Sequence, residues 1–545
     1  MPRVDALPTI ALPTIAGRER LLAWALVLLC VVLLFVQAPH GGAFYWSDSP
    51  RHALNGVFVM DLIKTMPLDD PAGYAYRYYA QYPALTILFY PPLFYAISAP
   101  FYAVFGVSHE TALLVVALHY LALGLGCWRL ARFWLPAAPS LAFAALVLWL
   151  PEVAFWGRQV MLEVPAFAFL VWSAVAVVAY LRGAPPRWLY LGAALLVLGM
   201  YTKISVAYMG LVYAALIAQR DGWAMLRNHH HWWVAALALV GLLPLAVLTL
   251  QFGQANLQSV TGVADAVASR TSWQGWVWYL QQIPLQAGWP LTALGLAGAV
   301  MAAWRRMPGL GLWWLGFGVG YLFFSSIDLK EARHSVFLLP SVAFFAVLLL
   351  HTLVPPRVGH GAVAALVVLV LATAGLTVGT RPVFYVQGYA QAAAEVARLA
   401  PRDSTVMFSG YRDGSFVFNM RALESRRDLH VMRADKLLLG VAVRRELGVE
   451  QKGLTQAEIA EAINANGVHY VVMQPGFWTD LEAMQRFERV MSSEQFEEVA
   501  RIPTPANHKA HETELVIYRN KGAVMPRRQG TDIELKIINR RISAD

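Results

Sequence analysis

The sequence predicts a polytopic α-helical membrane protein of about eleven transmembrane helices, with outer juxtamembrane helices and a C-terminal soluble α/β domain. Three observations predict it. Of the 545 residues, 58% are hydrophobic and 14% charged, with a mean hydropathy of +0.49, too apolar for a water-soluble chain. The charges are unevenly placed: 28 Asp, Glu, Lys and Arg fall in the 360 positions from 21 to 380, against 44 in the 165 from 381 onward. The basic residues of the apolar part recur in alternate short connections, as membrane topology asks of cytoplasmic loops. The chain therefore divides into a membrane module at 1–380, a soluble α/β domain at 381–525, and a tail at 526–545 whose Arg, Lys and Gln content predicts mobility.

Taken in order, the first apolar run, 21–36, follows Arg18 and Arg20, which places the N-terminus in the cytoplasm. A cleaved signal peptide ending near GGA at 41–43 is the alternative, and both put Asp48 outside. In FYWSDSPRHALNGVF, 44–58, Ser47, Asp48 or Ser49 caps a short helix that begins at Pro50, a local role sufficient by itself to account for these residues. The segment PPLFYAISAPFYAVFG, 91–106, holds Pro91, Pro92 and Pro100 among Tyr and Phe, which suits a helix lying in the outer interface. Counting it as a span would move Arg129 and Arg132 outside. The remaining spans fall at 109–128, 139–155, 163–181, 188–202, 205–219, 232–251, 288–304, 311–327, 335–354 and 361–380. Their inner connections carry Arg129, Arg132, Arg182, Arg187, Arg220, Arg227, Arg305, Arg306 and Arg357, with Asp221 the lone acid. An odd count leaves everything from Arg381 onward on the side of Asp48.

In that last part the pattern changes to helix at 387–400, strand at 404–410, helix at 454–467, and strands at 468–475 and 513–520. The only cysteines, Cys30 and Cys127, lie in apolar runs, so the soluble part has no thiol for a disulfide or a zinc site. Topology accounts for many of the charges behind the net +9, and no nucleic-acid partner is expected.

With the inner arginines assigned, the other charges of the membrane module gather at the outer face, among them Asp48, Arg51, Asp61, Arg158, Glu163, Lys203, Asp265, Lys330, Glu331 and Arg333. Few fall in mid-span, where a transporter would be expected to place ionisable groups. Glu163 precedes Pro165 at a helix start, where dipole stabilisation is the plain explanation. Lys203 lies between two apolar runs, where snorkelling is. Lys330, Arg333 and His334 crowd ahead of a span, and a lysine and an arginine three residues apart on a helix converge on one anion.

These motifs together resemble the GT-C glycosyltransferases, in the bacterial branch of protein O-mannosyltransferases and lipid A aminoarabinose transferases. The resemblance runs over most of the chain and rests on five features in order. They are Asp48 in YWSDSPRHALNG after the first span, PPLFY leading into a helix that ends in FG, Glu163 in RQVMLEVP, TK at 202–203, and KEARH at 330–334. There are departures. Ser49 stands where protein mannosyltransferases often carry a second acid, Phe89 and Tyr90 replace an acid and a lysine before the double proline, and Glu163 stands where Asp is common.

The resemblance implies a membrane glycosyltransferase of the bacterial inner membrane. It would move a sugar from a polyprenyl-phosphate donor to a hydroxyl of a glycolipid, glycan or protein acceptor, with a soluble outer (periplasmic) domain at its C-terminus. It implies that no cofactor is required; a divalent metal shared by Asp48 and Glu163 is the rival chemistry. Such transfer needs a base for the acceptor proton and positive charge for the departing phosphate. Asp48 is expected as the base, its proton affinity raised by burial. Glu163 is expected to orient sugar or acceptor, Lys330, Arg333 and Lys203 to bind phosphate, and Arg51, His52, Tyr90, His334 and Arg158 to bind substrate. A carrier or flippase of lipid-linked sugars, and a non-catalytic envelope scaffold, are the competing classes. In the soluble domain, YRDGSF at 411–416 and PGFWTD at 475–480 are the surface candidates, and turn chemistry from Gly414 and Gly476 accounts for both.

Overall fold

The computed structural model describes residues 15–253, 268–353, 361–441, 445 and 448–526, together with the backbone of two short strands beyond them. Arg357 and Asp265, which entered the charge pattern, lie outside the described residues. Every apolar run expected to span is helical. The helices are α1 (Gly17–Phe35), α2 (Asp48–Thr65), α3 (Pro71–Gln81), α4 (Leu93–Phe105), α5 (His109–Ala131), α6 (Ala137–Trp149), α7 (Pro151–Gly157), α8 (Glu163–Leu181), α9 (Arg187–Thr202), α10 (Tyr208–Asp221) and α11 (His229–Phe252). They continue with α12 (Trp273–Ala287), α13 (Trp289–Trp304), α14 (Gly311–Ser325), α15 (Leu339–Leu353) and α16 (Gly361–Thr380).

Among the described residues, five helical stretches are long and apolar enough to cross a membrane. They are α5, α8, α11, α16, and Ala332–Leu353, in which a 3-10 turn runs into α15. Seven qualify if each of two bent pairs is one span: α6 with α7, bent by 61°, and α12 with α13, bent by 118°. The chain is thus a multi-span membrane protein. Eleven full crossings go beyond what helix length supports, because α9, α10 and α14 are short and α1 carries Arg18, Glu19 and Arg20 in its first turn. Helix α4, 13 residues and so about 20 Å long, is too short for a hydrocarbon layer of about 30 Å. It packs instead along α2, where a Cβ on Gly56 would come within 3.0 Å of Ser98. Helices α13 and α15 approach just as closely: a Cβ on Gly298 would sit 2.0 Å from the Phe345 carbonyl oxygen.

The charges sort to the two ends of the bundle. At one end Arg132 pairs with Glu19 at 2.7 Å, Arg182 lies over the Trp134 ring, and Arg220 donates to the Tyr180 carbonyl. Asp48, Glu163 and Lys203 lie at the other.

The C-terminal part comprises α17 (Tyr389–Leu399), β1 (Thr405–Ser409), α18 (Asp413–Ala422), β2 (His430–Arg433), α19 (Ala434–Leu438), β3 (Leu439–Val441), β4 (Val449–Gln451), α20 (Gln456–Ala465), β5 (Val468–Met473), α21 (Glu482–Met491), β6 (Phe496–Pro503) and β7 (Glu514–Asn520). Five strands form one sheet in the order β2-β1-β5-β7-β6, with β1 parallel to both neighbours and β7 antiparallel to both of its own. The sequence pattern finds β1, β5 and β7 but passes over β2, only four residues long, and β6, whose alternation is interrupted by exposed charges. The tail expected to be mobile includes two paired strands, β8 (Ile533–Leu535) and β9 (Arg540–Ile542). YRDGSF is no surface loop, for Asp413 to Phe416 open α18 and are buried.

One face of the sheet packs on α20 and α21. The other shares a single apolar core with α2, α4 and the start of α5, through residues such as Phe44, Val57, Tyr95, Phe408, Phe416 and Val472. The C-terminal sheet region is therefore seated on the helix that carries Asp48.

Candidate functional site

Four side chains from four separate elements meet at the upper end of the bundle. Asp48 is the first residue of α2, Glu163 the first of α8, and Lys203 the break after α9, while Arg333 lies in the 3-10 turn Ala332–Leu338. Arg333 is central: its Nη1 lies 3.2 Å from Asp48 Oδ2, its Nε lies 3.7 Å from Glu163 Oε1, and it pairs closely with Glu331. Lys203 Nζ donates to Glu163 Oε1 at 2.5 Å. The Arg333 guanidinium also lies over the Trp156 ring, 5.7 Å from its centre.

The local explanations of these residues are not what the structure shows. Ser47, at the cap position of α2, makes no side-chain capping bond, and the Asp48 carboxylate turns to Arg333. Lys203 does not snorkel but holds Glu163. Burial separates the two acids: the Glu163 side chain is 1% exposed, whereas a quarter of Asp48 is open to solvent. Glu163 Oε2 has no hydrogen-bond partner in the protein, so an acceptor atom is left over at the floor of the cleft.

Around this core, His52 stands one helical turn from Asp48, its Nδ1 2.9 Å from the Tyr95 hydroxyl and its ring edge-on to Tyr90. Burial pushes the His52 imidazole down to about 4 against the opposing pull of Asp48 and Glu163, so the ring is neutral. Burial, reinforced by the negative charge of Asp48, raises the Tyr90 phenol well above its ordinary value. His334 lies 3.9 Å from Glu331. Asp48 corrects an expectation. Burial alone would raise its proton affinity, but the positive charge of Arg333 first, with that of Arg51 after it, outweighs burial and holds the carboxyl below its ordinary value.

Three expected site residues are engaged elsewhere. Lys330 Nζ donates to the carbonyl oxygens of Ile327 at 2.5 Å and Ser325 at 2.6 Å, closing the C-terminal end of α14. Burial lowers its proton affinity. Arg51 turns away from the cleft and binds both oxygens of Asp413 on α18, at 2.9 and 2.8 Å. Arg158 is buried, with Nε on the Ala154 carbonyl and Nη2 on the Arg381 carbonyl, pinning α7 to the segment that follows α16. Conversely, sequence reasoning gave Glu331 and Trp156 no role, although both touch Arg333. Glu331 was legible as a neighbour within KEARH, whereas Trp156 had no signal among so many aromatics. Among the described residues, no group of three or more His, Cys, Asp and Glu side chains is arranged to hold a metal ion.

Residues 90–247 match the family model of dolichyl-phosphate-mannose-protein mannosyltransferases, a stretch that includes Tyr90, Glu163 and Lys203 but neither Asp48 nor Arg333. No curated protein matches the chain. Among solved structures, apo ArnT from Cupriavidus metallidurans superposes with a TM-score of 0.62 at 14% identity, covering 94% of this chain and 100% of that one. The same protein bound to undecaprenyl phosphate gives 0.59 at the same identity and coverage. The apo oligosaccharyltransferase of Archaeoglobus fulgidus gives 0.51 at 11% identity over 92% of this chain and 76% of that one. The arabinofuranosyltransferase AftD from Mycobacteria gives 0.53 at 15% identity, over 96% and 43%. The chain therefore has the fold of GT-C glycosyltransferases, in line with the resemblance its motifs carry.

Proposed function

We propose that this protein is a glycosyltransferase that moves a sugar from a polyprenyl-phosphate donor to a hydroxyl of a glycan, glycolipid or protein acceptor. The reaction takes place at the outer face of a bacterial inner membrane. The observation that carries the reading is the convergence of Asp48, Glu163, Lys203 and Arg333 from four distant parts of the chain into one partly open cleft. The undecaprenyl phosphate held by the structurally similar ArnT supports the donor class.

In this reading Asp48 takes the proton of the acceptor hydroxyl as its oxygen attacks the anomeric carbon, and the bond from that carbon to the phosphate oxygen breaks with inversion. Lys203 and Arg333 receive the charge that develops on the leaving phosphate. Glu163 holds these two cations in place and offers its unpartnered oxygen to a sugar hydroxyl. Arg333 stands between the two acids, and the reaction proceeds without a divalent ion. The outer placement follows from the arginine-rich opposite end of the bundle, which the positive-inside rule assigns to the cytoplasm.

The test is a transfer assay with the membrane-inserted protein, its acceptor found by comparing envelope glycans and glycolipids by mass spectrometry with and without the protein. Asp48→Asn should lower turnover by a factor on the order of 10²–10⁴ while insertion and thermal stability are kept, and EDTA should leave wild-type turnover intact. Wild-type turnover in the variant would remove Asp48 from the base role. Movement of the lipid-linked sugar across proteoliposomes without any covalent product would replace the transferase reading by a carrier.

A further inference from the structure

Parallel strands β1 and β5 are neighbours in the sheet, yet the chain runs from β1 outward to β2 before it crosses back to β5. In open α/β sheets, the carboxyl ends of strands at such a reversal form a crevice suited to ligands. Here the loop after β1 supplies Tyr411 and the loop after β5 supplies Trp478, with ring centres 6.5 Å apart. His511, from the segment before β7, stacks on Tyr411 at 4.8 Å. Trp478 is held at φ 53°, in the left-handed region that costs any residue with a side chain. Ser409, at the end of β1, is buried and its Oγ has no partner.

The ring series continues toward the cleft. Three residues before His511, His508 lies flat on Phe384 at 3.7 Å, and Phe384 is 6.4 Å from Trp46, two residues ahead of Asp48. Trp46 in turn contacts Trp156, whose ring lies beneath Arg333. A core would bury such a series, but His508 and His511 are exposed and Tyr411, Trp478, Phe384 and Trp46 are half-buried.

We propose that this aromatic track is the docking surface for the oligosaccharide part of the acceptor, leading it from the tip of the soluble domain to Asp48. The proposal rests on the transferase reading and names the acceptor class for that same site. The apolar C–H faces of pyranose rings lie on the electron-rich faces of aromatic rings, while their hydroxyls need polar neighbours at the ring edges. The exposed carboxylate of Asp480, paired with the half-buried Arg445 that lies over the Trp478 ring, supplies such groups at that end of the track. A track of several rings fits a chain of sugars better than a single one. A peptide acceptor would call for apolar pockets or an open strand edge, and the rings occupy the strand ends instead.

The test uses the full-length protein in nanodiscs and, as probe, envelope oligosaccharides released by mild acid and separated by size. Binding is read by saturation-transfer NMR and tryptophan fluorescence. Oligosaccharides of two or more units should bind the wild type and Asp48→Asn alike. The double variant His508→Ala/His511→Ala, which removes two exposed rings, should lose at least tenfold in affinity. Trp478→Gly should lose as much, since it relieves the backbone strain while deleting the ring and is expected to fold. In the transfer assay both should raise the acceptor KM about tenfold with kcat changed less than threefold. Affinity unchanged in both variants, no oligosaccharide binding by the wild type, or binding of unglycosylated envelope peptides alone would overturn the track. Turnover retained in Asp48→Asn would instead overturn the chemistry and leave oligosaccharide binding as it stands.

Discussion

Asp48 and His52 lie one turn apart on α2, and their titration can be followed separately. Asp48 is held below the ordinary carboxylate value chiefly by Arg333, so in the free protein it is ionised throughout the neutral range. A phosphate that engages Arg333 and Lys203 draws that positive charge away and raises the proton affinity of Asp48 when a base is needed. The acid limb of kcat, which reports the substrate complex, should therefore lie at higher pH than the acid limb of kcat/KM, which reports the free protein. Coincident limbs across pH 4–8 would argue against Arg333 as the shared partner. His52 gives a stability signature. Unfolded, it binds a proton near pH 6.5; folded, near 4. Between those values the unfolded chain holds more protons, so stability is complete above about pH 6.5 and falls as pH drops toward 4, by about 3 kcal/mol in all. His52→Gln should flatten that slope when the thermal midpoint is measured at pH 4.5 and 7.

At the scale of elements, the junction between α2 and α18 holds the most strongly buried charge pair described. Arg421, fully buried, reaches both oxygens of Asp61 at 2.8 and 2.7 Å and bonds to the Tyr78 hydroxyl. At the first residue of α18, Asp413 takes Arg51 and also Arg433, the latter at 2.6 Å. Removing one partner strands a charge in an apolar interior, whereas replacing both by apolar groups does not. Arg421→Leu alone should cost about 3–5 kcal/mol and expose the C-terminal sheet region to protease, while Arg421→Leu with Asp61→Leu should recover most of that stability. Equal loss in the single and double variants would mean that the pair holds α2 by specific geometry and not by charge balance. The sequence showed α2 as a short capped helix and left α18 unrecognised, since DGSFVFNMRA has neither a clean apolar stripe nor an outward polar face. Its residues are buried on nearly every side because it lies between the sheet and α2.

In the whole molecule, the helices around Asp48 and the C-terminal sheet region meet in one apolar core. The boundary near residue 381, plain in the charge density, is real in composition but is not a gap in packing. The sequence by itself determined where the apolar helices lie, the change to an α/β pattern, and the set of charges that topology leaves over. Hydropathy and strand alternation act over a few turns of chain, so they are written locally. Only the tertiary structure decided which of those charges form the site. Lys330 and Arg333 stand three residues apart, yet one closes a helix end and the other joins Asp48 and Glu163. Arg51 and Asp48 share the first turn of α2 and face different partners. A charge in a weakly polar interior goes to whichever opposite charge or carbonyl folding brings within about 3 Å, and those neighbours come from parts of the chain far apart in sequence.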